Sequence, residues 1–91
     1  RRRLRFNMNP RPTQVIAHAD HSLTLTFANS EIRRFDLEPY LRYPCFEPLK
    51  QTAFFLLASC DHGTVAWPQN IDFDPDTLYL ESKPVAQAEA A

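Results

Sequence analysis

A single glycine among 91 residues, set against eight prolines, leaves this chain one position where a positive φ is free of strain: Gly63. That places a tight backbone turn between Asp61 and Thr64, followed by a short strand over Thr64, Val65, Ala66 and Trp67. Pro68 has no donor for a sheet ladder, so the strand stops there or lies on an edge, and Gln69-Asn70 carries the chain onward. Asp74-Pro75-Asp76 then opens a helix. The Asp74 carboxylate accepts free N–H groups of the first turn, Pro75 pre-sets φ, and both acids complement the positive helix end. Leu78 falls one turn on, and Lys83-Pro84 closes the helix.

Upstream, the pattern is that of strands. Thr13 to Ala19 is a first strand bounded by Pro12 and the turn-like Asp20-His21. Ser22 to Phe27 alternates strictly, with Leu23, Leu25 and Phe27 on one face and Ser22, Thr24 and Thr26 on the other. Asn29-Ser30 is a two-residue turn in which Asn takes the left-handed region, and Glu31 to Leu37 returns antiparallel. Ile32 and Phe35 differ by an odd number, so both reach the core only through a bulge at Arg33-Arg34. Glu38 to Arg42 forms one helical turn, ended by Pro44, and Pro48 to Ala53 a second short helix. Phe54 to Ser59 reads as a strand buried on both faces, paired with Thr64 to Trp67 across Cys60-Asp61-His62-Gly63. The predicted architecture is a small single α+β domain: an antiparallel β-meander, a second β-hairpin, and two or three short helices. Residues 1–11 form a basic arm, 12–82 the domain, and 83–91 an alanine-rich tail.

At this size, with 44% hydrophobic residues, there is material for one modest core. The longest apolar run, Ala53 to Ala58, is far short of the ~20 residues that cross a bilayer. No basic segment precedes a signal-like apolar stretch. A soluble, cytoplasmic protein without a membrane partner is expected, with Cys45 and Cys60 reduced and buried. Arg1, Arg2, Arg3, Arg5 and Arg11 are five of the ten basic residues, while all eleven acids lie beyond position 11. A basic leader on an acidic body disfavours nucleic-acid binding by the domain alone, because a phosphate backbone needs a whole basic face. In the arm Leu4, Phe6 and Met8 alternate with Arg3, Arg5 and Asn7, a pattern suited to adding a strand to a sheet edge. Met8 reads as a natural start, which makes the first seven residues an upstream extension.

Reactive groupings are sparse. Asp72, Asp74 and Asp76 have the first spacings of a calcium loop, but Thr77 replaces its glycine and Lys83 its glutamate, so helix capping explains them better. His18 and His21 sit at a turn without a specified third metal ligand. Ser59-Cys60-Asp61-His62 holds the residue types of a nucleophile and its base, yet adjacent strand residues point to opposite faces. There is no phosphate loop, dinucleotide fingerprint or serine elbow. Aromatics near arginines commonly anchor interfaces, which singles out Tyr40, Tyr43, Trp67 and Tyr79 with Arg33 and Arg34. The competing structural view packs Trp67 against Tyr79 over the core and leaves Arg33 and Arg34 on a solvated strand face.

The run Phe27-Ala28-Asn29-Ser30-Glu31-Ile32-Arg33-Arg34-Phe35-Asp36-Leu37-Glu38-Pro39-Tyr40-Leu41, then Gly63-Thr64-Val65-Ala66-Trp67-Pro68, then Asp72, Asp76, Thr77, Leu78 and Tyr79, resembles the small bacterial domain-of-unknown-function family 2442. The likeness spans roughly Pro12 to Ser82. It implies a compact α+β domain found alone, fused ahead of a helix-turn-helix region, or encoded beside a small toxin-like partner, and so regulation or partner binding over catalysis. It carries no catalytic residues across. One departure is Asn29-Ser30 where the family has Asn-Gly, at a cost of about 1 kcal/mol if the second position needs positive φ. No helix-turn-helix pattern follows Ser82. The expected function is a non-catalytic protein-interaction module, regulatory or antitoxin-like, acting as a homodimer or with a small partner protein, without cofactor or metal. Its candidate contact residues are Arg3, Arg5, Phe6, Arg33, Arg34, Tyr40, Trp67 and Tyr79. The alternative is a small-molecule or peptide-binding domain with an aromatic pocket near Trp67.

Overall fold

The computed structural model describes residues 9–85; the arm up to residue 8, with Arg3, Arg5 and Phe6, and the tail from residue 86 onward lie outside the described residues. Strands β1 (Pro12–Ala17), β2 (Ser22–Phe27) and β3 (Ile32–Asp36) come first, then α1 (Thr52–Phe55), β4 (Ser59–Asp61), β5 (Thr64–Trp67), β6 (Ile71–Asp72), α2 (Pro75–Leu80) and β7 (Lys83–Pro84). Two 3-10 helices, Glu38–Tyr40 and Pro44–Lys50, link β3 to α1. All strand pairs are antiparallel, in a four-stranded sheet ordered β1-β2-β3-β7 and a three-stranded sheet ordered β4-β5-β6. The chain is therefore α+β, a meander plus a second hairpin, as its patterning predicts.

The alternation of β2 decides where the core lies. Leu23, Leu25 and Phe27 are buried on one face together with Phe35 and Leu37, and the second sheet and helices close over them with Leu49, Phe55, Val65, Trp67, Phe73 and Leu78. Asp74 caps α2 as expected, its carboxylate accepting from the Thr77 backbone N–H and hydroxyl, both at 2.9 Å. Lys83–Pro84, which the sequence reading gives to the tail, instead pairs with Arg34 and Arg33 as the last strand of the sheet.

Several expectations are corrected. The bulge at Arg33-Arg34 does not exist: β2 and β3 pair without interruption from Ser22↔Asp36 to Thr26↔Ile32. Ile32 simply takes the opposite face from Phe35, so no bulge is needed. The irregularity of this sheet lies between Pro12 and Gln14, beside a proline that cannot donate to a ladder. Phe54 to Ser59 is not a strand. Phe54 and Phe55 close α1, Leu56 and Leu57 form an exposed turn, and β4 begins only at Ser59. A strand buried on both faces needs cover on both, whereas here Phe55 is buried, Phe54 and Ala58 pack half-buried against the core, and Leu56 and Leu57 are left exposed. The helix expected over Pro48 to Ala53 is a 3-10 helix over Pro44–Lys50, separated from α1 by extended Gln51. The helical turn at Glu38–Tyr40 does stop short of Pro44, which also starts the next element, because Tyr43 holds the extended conformation (ψ 135°) favoured before proline. Cys45 is exposed, not buried, and Cys60 is half-buried.

Gly63 turns with φ +80° as predicted, and His62 before it is also positive. The other hairpin turns use no glycine. In the loop from β2 to β3 the Ser30 N–H bonds to the Phe27 carbonyl and Phe27 N–H to that of Glu31, a three-residue connection whose left-handed position is Ser30 (φ +73°), not Asn29. A side chain there carries strain that glycine lacks. Ser30→Gly is expected to raise stability by about 1 kcal/mol, read as a higher urea midpoint at unchanged m-value. His21, in the equivalent loop from β1 to β2, repeats the arrangement with φ +67°.

Candidate functional site

Trp67 is a core residue. It is 4% exposed, its ring stacks on Phe55 with centroids 6.0 Å apart, and its indole N–H donates to the Phe55 carbonyl at 2.8 Å. The groove beside it, about 340 Å³, is lined chiefly by polar groups, among them Asp61, His62, Gln69, Asn70 and Asp72. Trp67 is the one Phe, Tyr or Trp side chain among the described residues that line it. Tyr79 does not pack on Trp67; it meets Phe27 edge-on at 5.1 Å. Tyr40 stacks on Phe35 at 5.5 Å and meets Phe73 edge-on at 5.1 Å, and burial pushes its hydroxyl pKa up. Tyr43 alone of these four is exposed, with the Arg42 guanidinium 5.2 Å above its ring.

Arg33 and Tyr79 are brought together, but in a structural knot. The Arg33 side chain, 15% exposed, donates to the Ser82 hydroxyl at 2.8 Å, the Ser82 carbonyl at 2.9 Å and the Glu31 carboxylate at 2.9 Å. Its guanidinium lies 4.5 Å over the Tyr79 ring, and the Tyr79 hydroxyl donates back to Glu31. The knot ties β3 to the end of α2. Arg34 points to the other face, where it pairs with Asp20 at 2.8 Å among exposed groups.

The Arg33 bond, then that of Tyr79, holds the Glu31 carboxyl below its ordinary pKa, and the Ser22 hydroxyl does the same for Asp20. A carboxylate whose folded pKa is lowered contributes stability that is whole above its unfolded pKa and is lost as pH falls through the folded one. Unfolding midpoints in urea are therefore expected to hold from pH 7 down to about 5 and to fall below pH ~4. Glu31→Gln should flatten that decline.

The opposite face of the four-stranded sheet is bare among the described residues. Pairing sets its rungs: Gln14↔Thr26↔Ile32, continued by the Val85 N–H on the Ile32 carbonyl at 2.9 Å, and Ile16↔Thr24↔Arg34↔Lys83. Ile16 is 60% exposed. It lines, with Thr24, Thr26, Ile32, Arg34 and Val85, a shallow depression of about 490 Å³. This is an apolar stripe crossing four strands, rimmed by the Arg34–Asp20 pair and by His18, whose Nε2 lies 2.7 Å from the Thr24 hydroxyl.

Burial pushes the Cys60 thiol pKa up, the reverse of what a nucleophile needs, and His62 is paired with Asp61 at 3.0 Å on an exposed turn. Asp74 is occupied as a helix cap, and Asp76 accepts from the Asn9 amide at 3.2 Å. Among the described residues no cluster of three or more His, Cys, Asp or Glu is placed to hold a metal, and no helix is long and apolar enough to cross a membrane.

The family described as Protein of unknown function (DUF2442) matches residues 12–84. The chain belongs to that family. The matched span runs from the first residue of β1 to the last of β7, so the family's unit includes the closing strand and is the two-sheet fold itself. No curated protein and no solved structure matches the chain.

Sequence reasoning missed Ile16, Ile32 and Val85 as surface residues. The signal was present. Val15 and Ile16 are adjacent on a strand, so one must face away from the core, and the odd spacing of Ile32 and Phe35 says the same. Supplying a bulge at Arg33-Arg34 removed the second clue.

Proposed function

We propose that this member of the family is a non-catalytic protein-binding module whose contact surface is the outer face of the four-stranded sheet. The observation that carries this is the line of Ile16, Ile32 and Val85, without cover among the described residues, across a face flanked by a paired charge. Solvent-facing sheet positions are ordinarily polar, so the exposed Ile16, with the half-buried Ile32 and Val85 beyond Thr24 and Thr26, stands out on this face. Its occupant is a second copy or another small protein, in a regulatory or antitoxin-like role in the cytoplasm, the setting expected from the resemblance. Arg34 stays in the contact surface as a rim residue. Arg33, Tyr40, Trp67 and Tyr79 support it from within the fold. The small-molecule alternative is disfavoured because the Trp67 ring and its N–H are both spent on Phe55.

A photo-crosslinking amino acid placed at position 16, with position 80 as control, tests the reading in the cells that make the protein. Leu80 is exposed but lies on α2, away from the stripe. A discrete protein adduct at 16 and none at 80 is expected. Adducts at 80 only, or at neither position, would contradict it.

A further inference from the structure

Building on the protein-binding reading, we propose that the outer face holds its partner by one residue: the carboxyl end of a partner chain whose last side chain is aliphatic. The face is four strands wide, at about 4.8 Å each, and its longest strands have six residues, which is below the area of a specific protein interface. The depression on it, of about 490 Å³, has instead the volume of a pocket for a small group. A partner therefore gains its hold from a few well-placed contacts, and the lining says of what kind.

With histidine neutral, the one charged side chain in that lining is Arg34; no Asp or Glu is part of it. Asp20 does not use up the guanidinium. Anchored by the Ser22 N–H at 3.0 Å and hydroxyl at 2.6 Å, it accepts from Nη2 of Arg34 at 2.8 Å and so steadies the side chain on the face. Nε and Nη1 of Arg34 donate to no group among the described residues. Lys83 stands in register with Arg34 on β7 and has no ion-pair partner among the described residues. Like charges side by side on a sheet repel, and a bound anion relieves both. Asp36 and Glu81 lie with Arg34 and Lys83 around a separate, smaller hollow, outside the depression.

A carboxylate at Arg34 also meets Thr24, its cross-strand neighbour. The His18 Nε2 lies 2.7 Å from the Thr24 hydroxyl; with the imidazole as donor, the hydroxyl proton is left for the carboxylate. One rung on, about 6.8 Å along the strands, Thr26 and Ile32 pair, with Val85 beyond Ile32 and Ile16 across on β1. A residue with carboxylate and aliphatic side chain on the same Cα bridges these two rungs. An internal segment laid along the face fits less well, because the backbone groups of β2 and β3 are taken up in their ladders and its own amides would be buried unpaired. A chain end brings one residue in and leaves the rest in solvent.

Fluorescence polarisation with a fluorescein-labelled peptide, Gly-Ser-Gly-Ser-Leu with a free carboxylate, tests this at protein concentrations up to about 1 mM. Saturable binding to the wild-type chain is expected. The same peptide with an amide end, or with glycine in place of the leucine, should bind at least ~10-fold more weakly, because one loses the charge and the other the aliphatic contact. Arg34→Gln and Ile16→Thr should each weaken the leucine peptide by a similar factor, and Leu80→Asp, remote from the face, should leave it unchanged. Thermal melts establish that each variant is folded, and the peptide controls on wild type need no variant. No binding to wild type, equal binding of the acid and the amide, or indifference to both Arg34→Gln and Ile16→Thr would each overturn the proposal. Displacement by 4-methylpentanoate at lower concentration than by unlabelled peptide would overturn it too, in favour of a free aliphatic acid. If no peptide binds while position 16 crosslinks to a protein, the chain-end partner is excluded and the protein-binding surface stands.

Discussion

Trp67→Ala is expected to lower the unfolding free energy by about 3–5 kcal/mol, the cost of emptying a large aromatic site in a packed core. For a domain of this size each kcal/mol shifts the melting temperature by about 4–8 °C, so the variant should melt far below wild type or fail to fold near room temperature. The physical reason is the stacking of Trp67 on Phe55 and the bond from its indole N–H to the Phe55 carbonyl. Those contacts join β5 to α1 and hold the second sheet against the helices. Trp67→Phe keeps most of the buried ring and removes the N–H, and should cost only about 1–2 kcal/mol. Urea denaturation checks both. A loss under ~0.5 kcal/mol for Trp67→Ala would mean that the ring is not core but lines a site, and the small-molecule alternative would return.

Arg33→Ala is expected to cost about 3 kcal/mol. The guanidinium makes charge-assisted bonds to the Ser82 hydroxyl and carbonyl in a mostly buried position and lies over the Tyr79 ring. Its removal leaves Ser82 acceptors without their donor and frees the end of α2 from β3. Arg34→Ala should change stability by less than about 0.5 kcal/mol, because its pair with Asp20 is exposed to solvent and screening. The comparison matters because the two arginines are adjacent and of one type, and only the face they occupy separates them. Arg33→Lys should recover only part of the loss, since a point charge cannot serve Ser82 and Glu31 in the planar geometry that a guanidinium does. Equal stability losses at 33 and 34 would contradict the assignment of Arg33 to the knot.

Much of the fold is legible because the deciding signals are local. The faultless alternation of Ser22 to Phe27 gives both the strand and its buried face, Gly63 marks its hairpin, and Asp74-Pro75 marks the start of α2. What escaped depended on partners distant in sequence. The unbroken apolar run from Phe54 carries no period, so its length suggests a strand, while tertiary cover reaches Phe54, Phe55 and Ala58 and leaves Leu56 and Leu57 exposed. β6 and β7 are two residues each, too short for any periodicity, and exist because β5 and β3 offer them open ladders. The left-handed positions at His21, Ser30, Gln69 and Asn70 carry no glycine to announce them. At the surface, charge and aromaticity drew attention to Arg33, Tyr40, Trp67 and Tyr79. The same bulk and hydrogen-bonding capacity make those side chains useful inside, where the structure places them. The outer stripe was hidden for the complementary reason: isolated isoleucines read as core until the register shows which of them face out.

Methyl-resolved NMR of the wild-type chain, followed as the leucine-ended peptide is added, tests the outer face most directly. If that face is where a partner chain docks, the resonances of Ile16, Thr24, Thr26, Ile32 and Val85 shift with peptide concentration, while those of Leu23, Leu25 and Leu78 in the core and Leu80 on α2 stay in place. Shifts confined to Leu56, Leu57 or Leu80, with the five outer-face residues unmoved, would contradict it.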